Sequence, residues 1–85
     1  MEDLELSEEL WRKGGVVAEK VAESIDDDDE APKGNAFDTA AHFFAKAGDI
    51  DYAIEIQEKA VDFNNDDQLR GYLKELRKIK KMMTK

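Results

Sequence analysis

The chain contains no cysteine, a single histidine, a single proline and no apolar run of membrane-spanning length. Without cysteine there is neither a disulfide staple nor a thiolate metal site, which fits a reducing compartment. One histidine among carboxylates is a poor start for zinc, which takes three or four ligands. No metal and no cofactor is therefore expected. Catalytic equipment is equally thin, since no serine or threonine lies in a nucleophile-elbow pattern. Thr39 and His42 stand three apart, with Asp38 four before the histidine. The trio lacks an oxyanion hole, and ordinary surface hydrogen bonding explains it better than catalysis. The chain is expected not to be an enzyme. The acidic opening Met1-Glu2-Asp3 is unlike the basic, then apolar, start of a signal peptide. These absences favour a cytoplasmic protein that does not enter a membrane.

What the chain does have is charge and small apolar residues. With 41% hydrophobic and 40% charged residues over 85 positions, it suits one small domain whose core is shared among few helices. The net charge of −8 is unevenly spread: residues 1–34 carry 12 acidic and 4 basic side chains, residues 66–85 carry 3 and 7. A predominantly acidic body would repel a polyanion, so nucleic acid is not expected as the main ligand.

Ser7 is a plausible N-cap for a helix over 7–25, with Glu8 and Glu9 complementing its dipole. Leu10, Gly14, Val17, Ala18, Val21 and Ile25 follow a three-and-four spacing that predicts one buried face. Gly14-Gly15 would each cost about 1 kcal/mol relative to alanine. Close packing of another helix is the favoured explanation, and a hinge is the alternative. Trp11 lies one residue off the Leu10 face, as a core-edge residue or as an aromatic anchor for a partner.

Residues 26–34, Asp26 through Gly34, read as an acidic linker. Adjacent carboxylates repel, and Pro32 disfavours helix at its predecessor. The run does not make a calcium loop, because its sixth position holds Ala31 or Pro32 instead of glycine.

A hairpin is expected over 35–64. Its first helix runs from Asn35 to Ala47, and its second from Asp49 or Ile50 to Phe63. Gly48 supplies the left-handed residue that ends the first helix, and Asp49 can cap the second. Ala53 and Ala60, seven apart, face Ala40 and Ala41, with Phe37 and Phe44 filling the space beside them. Asn64-Asn65-Asp66-Asp67 reads as a turn and a new N-cap. A fourth helix over 66–84 then places Leu69, Tyr72, Leu73, Leu76, Ile79 and Met83 on one face. Its basic end could suit a membrane or nucleic acid, but its apolar stripe is needed to cover the hairpin, so a capping helix is preferred. The expected fold is all-α with four helices in a single domain.

Residues 34–67 resemble one tetratricopeptide unit of 34 residues. Phe37, Ala41, Phe44, Gly48, Ala53 and Ala60 match that pattern, while Gln57 replaces a large apolar residue and Asn65 the closing proline. Val17-Ala18-Glu19-Lys20-Val21-Ala22 echoes Gln57-Glu58-Lys59-Ala60-Val61, as if residues 7–25 were the second helix of an incomplete preceding repeat. The run from Asn35 through Ala40, with Gly48 through Val61, is also similar to helical tails that follow thioredoxin-like domains in some bacterial proteins.

The resemblance implies a non-enzymatic protein–protein interaction or assembly module that holds a protein or peptide. The alternative is a structural helical appendage of a larger, thioredoxin-like protein. It further implies that Asn35, Asp38, His42 and Lys46, on one flank of the second helix, line a binding groove, the alternative being plain solvent exposure. Trp11, as an aromatic anchor, is a candidate contact by its own position. Asp38 and His42 depart from the cationic and amide side chains that such grooves use for a C-terminal carboxylate, so that ligand is not expected. Apolar area around Trp11, Ile25 and Met82–Met83 makes a homodimer a further expectation.

Overall fold

Four segments have the composition to be helical, and all four are. In the computed structural model, residues 7–83 are described; Met1-Glu2-Asp3 and Thr84, the last position of the expected capping helix, lie outside them. The helices are α1 (Glu8–Ser24), α2 (Glu30–Lys46), α3 (Ile50–Phe63) and α4 (Asp67–Met83). No strand occurs among the described residues, so the fold is all-α.

Local chemistry sets most of the ends. The Ser7 hydroxyl accepts from the Leu10 amide at 3.2 Å, capping α1. Asp66 does the same for α4, accepting from the Gln68 amide at 2.7 Å. Gly48 holds φ +90°, a left-handed conformation in which a side chain would be strained, and it ends α2. Asp49 stands at the N-cap of α3, but its carboxylate makes no capping bond there. It is taken by Arg12 of α1 instead, at 2.6 Å from Nε to Oδ2.

The second helix begins at Glu30, five residues before the expected Asn35, so the linker between α1 and α2 is shorter than 26–34. Pro32 does not prevent this. It sits third in the helix, where an N–H has no intrahelical acceptor to lose. Lys33 then becomes a structural residue. It is 4% exposed, and its ammonium donates to the carbonyls of Ile25 (2.5 Å) and Glu23 (3.3 Å) at the end of α1. Asp27 pairs with it at 3.2 Å. A buried ammonium is tolerable when its donors are used and its charge is met.

The core lies mainly between α2 and α3. Ala40, Ala41, Ala53, Ile56 and Ala60 are fully buried, with Phe37 and Phe44 beside them. Small residues let the helix axes approach closely. The tightest point is Gly34, where an added Cβ would lie 2.5 Å from the Asn64 Cβ and 2.8 Å from the Ala60 carbonyl oxygen. Leu69, Leu73 and Leu76 close the other side of α3, and Arg77–Glu58 (2.9 Å) and Lys80–Asp51 (2.8 Å) tie α4 to it. Ile79 and Met83, expected on the buried face of α4, are 40% and 62% exposed.

The first helix packs with a different rotation from the one its spacing predicts. Leu10, Val17 and Val21 are 50%, 62% and 53% exposed, while Gly15 and Ala22 are buried and Trp11, Ala18 and Ile25 half-buried. Two features set this rotation. The glycine pair admits the rings of α2: a Cβ at Gly14 would meet Phe43 at 3.0 Å, and one at Gly15 would meet Phe44 at 2.9 Å. Arg12 and Glu19, seven apart, also hold Asp49 and Tyr52 of the α3 region. The glycine pair is therefore a packing site.

Candidate partner-binding surface

The five residues singled out in the sequence fall in separate surroundings. Trp11 packs edge-on against Phe43, with ring centroids 5.5 Å apart, and the Lys46 ammonium lies 5.6 Å over its ring. This makes Trp11 a core-edge residue beneath a cation. Asn35 accepts from Asn64 at 3.2 Å, joining the start of α2 to the end of α3. Asp38 accepts from the Gln57 amide at 2.8 Å. The His42 ring lies parallel to that of Tyr72, 3.8 Å between centroids and 4° between planes.

The expected groove flank of α2 is therefore partly occupied by α4. Tyr72 covers His42, and burial pushes the Tyr72 hydroxyl above its usual range, with the charges of Asp38 and Glu75 adding to the rise. His42 Nδ1 is 2.8 Å from the Asp38 carbonyl oxygen, and Thr39 donates to the Asn35 carbonyl, so threonine and histidine do not form a working pair. Gln57, fully buried where an apolar residue would fit, donates to both Asp38 and the Leu69 carbonyl (3.0 Å). Its amide is fixed in this sense because the reversed amide would place oxygen against two acceptors. The Oε1 atom is buried with no hydrogen-bond partner among the described residues. Gln57 thus ties together α2, α3 and α4, a role that spacing alone does not disclose.

A more open surface lies on α1. Aligning Glu19-Lys20 with Glu58-Lys59 sets Gly14, Val17 and Val21 against Ala53, Ile56 and Ala60. The α3 residues of this set are fully buried against α2. Their counterparts Val17 and Val21, with Leu10 one turn before Gly14, make an uncovered apolar stripe. Their spacing marks one face of α1, and the structure leaves that face open where the spacing predicts burial.

Two links brace the opposite side of α1. Hydrogen bonding to Arg12 holds the Asp49 carboxyl below the usual carboxylate range. On the same side, the bond from the Tyr52 hydroxyl to Glu19 (2.7 Å), with some burial, pushes the phenol up to about 12. Both links are solvent-accessible and serve to set the rotation of α1. They leave its stripe pointing away from α3.

Among the described residues, no group of three or more His, Asp or Glu is placed to hold a metal ion. No described helix is long and apolar enough to cross a membrane. Comparison with protein-family models, with curated proteins and with solved structures gives no match to this chain.

Proposed function

We propose that this chain is a non-enzymatic protein-interaction or assembly module of tetratricopeptide type, binding a protein or peptide. The observation that carries the proposal is the Leu10, Val17, Val21 stripe, half or more exposed where the corresponding face of α3 is sealed. Apolar side chains aligned on one helix face and left in water are a recurrent mark of an interaction site. Helical repeats bury such faces by stacking on a neighbour. A photo-reactive residue at position 17 should form adducts with a defined partner, and the same residue at Glu55, exposed on α3, should not. The partner is then identified by mass spectrometry and the complex rebuilt from purified components, with binding lost on Val21→Asp. Identical labelling from both positions would remove the proposal.

The same stripe also supports a second reading. As the second half of a hairpin without its first, α1 suits a helical appendage whose covering helix belongs to a larger, thioredoxin-like polypeptide. In that case a covering segment fused upstream should raise the Tm of the module, whereas a separate partner should act only by mass action.

A further inference from the structure

We infer that the open stripe of α1 receives an antiparallel amphipathic helix whose apolar seam is bordered by acidic side chains. This rests on the interaction reading above and adds the chemistry of the partner. Leu10, Gly14, Val17 and Val21 fall within an arc of about 60° and extend roughly 16 Å along the helix. Three turns of a second helix match that length.

Charge selects the partner. On the side of the stripe away from α2, Lys13 and Lys20 stand seven apart, and the Lys13 side chain is 71% exposed. Among the described residues it pairs with Glu9, at 3.9 Å on the same helix and equally exposed, so the pair screens little. On the α2 side, Lys46 stands over Trp11. A helix seated between these borders meets cations on both sides, the arrangement in which flanking charges choose partners in paired helices. Beyond the C-terminal end of α1 comes Asp26-Asp27-Asp28-Asp29. A partner's positive helix N-terminus is favoured there, which sets the antiparallel direction.

The same borders disfavour a second copy of this chain. Antiparallel pairing of two α1 helices brings Lys13 of one copy towards Lys20 of the other.

Two synthetic peptides of about five helical turns, sharing one leucine seam and flanked by either glutamate or lysine, test the assignment by fluorescence anisotropy with the full chain. The glutamate peptide is expected to bind about tenfold more tightly, the scale of two or three exposed ion pairs. Lys13→Glu with Lys20→Glu should reverse or erase that order. Val17→Asp should remove binding of both peptides with circular dichroism and Tm unchanged. Equal affinities, or an order that survives the lysine reversal, overturn the acidic-helix assignment and leave the interaction surface standing. Self-association that Val17→Asp abolishes also overturns it, in favour of a second copy. Binding of neither peptide, or binding indifferent to Val17→Asp, overturns both readings.

Discussion

Ala53, Ile56 and Ala60 of α3 are sealed against α2, whereas Val17 and Val21, the matching residues of α1, lie open to water. Both helices carry an apolar face with the same spacing, and α2 touches both. The difference is geometric. A helix in the middle of a stack has neighbours on two sides, whereas α1, among the described residues, packs on α2 and meets the α3 region only through side-chain links. An amphipathic pattern marks a face that needs covering without telling which molecule covers it.

The comparison breaks most easily at the two central residues. Ile56→Ala should cost about 2–5 kcal/mol, the transfer loss plus a cavity. Val17→Ala should stay within about 0.5 kcal/mol, as at an exposed site. Thermal or urea melting decides, and equal costs would mean that α1 is as buried as α3. The glycines sharpen the contrast at a smaller scale. Gly34→Ala forces a methyl against the backbone of α3 and should destabilise by about 1–3 kcal/mol. Gly14→Ala meets only the Phe43 ring, which can turn, so helix propensity should offset its cost to within about 1 kcal/mol.

The weakest effect concerns the link from α1 to α3. Because the Tyr52 phenol is raised to about 12 in the folded chain, the unfolded chain loses its proton first as pH climbs above 10. The stabilisation is fully present below pH 10 and is lost as pH rises towards 12. Tyr52 is 38% exposed, so solvent screening limits the effect to about 1 kcal/mol or less. Urea midpoints measured between pH 9 and 12 should show this decline, and Tyr52→Phe should flatten it.

Features written in adjacent residues were legible in the sequence. Ser7, Gly48 and Asp66 end or begin helices through bonds and dihedrals within a few residues of themselves, and the α2–α3 alanines face one another as their spacing requires. Features that depend on distant residues were not. Lys33 reads as part of a polar linker until the end of α1 supplies carbonyls for it. Gly34 reads as the last residue of that linker until Ala60 and Asn64 are brought against it. Asp49 looks like a cap until Arg12, 37 residues earlier, claims its carboxylate. The rotation of α1 followed from the rings of α2 entering the glycine pair, so an apolar arc wider than one partner left Leu10, Val17 and Val21 outside. Of the groove residues, Asp38 and His42 were drawn into the seam with α4 by Gln57 and Tyr72, neither of which is near them in sequence.

Each helix packs chiefly on its neighbours in the chain, with side-chain links besides between α1 and α3 and a ring stack between α2 and α4. Contacts of such short sequence separation favour rapid folding, because little loop entropy is lost before packing begins. They also divide the molecule into layers that open separately. Fraying of α1 need not disturb the α2–α3 centre, so amide exchange is expected to be slowest in that centre and faster towards either edge. A ligand seated on α1 would then act on an edge layer, and its arrival would register as slowed exchange away from the most stable part of the fold.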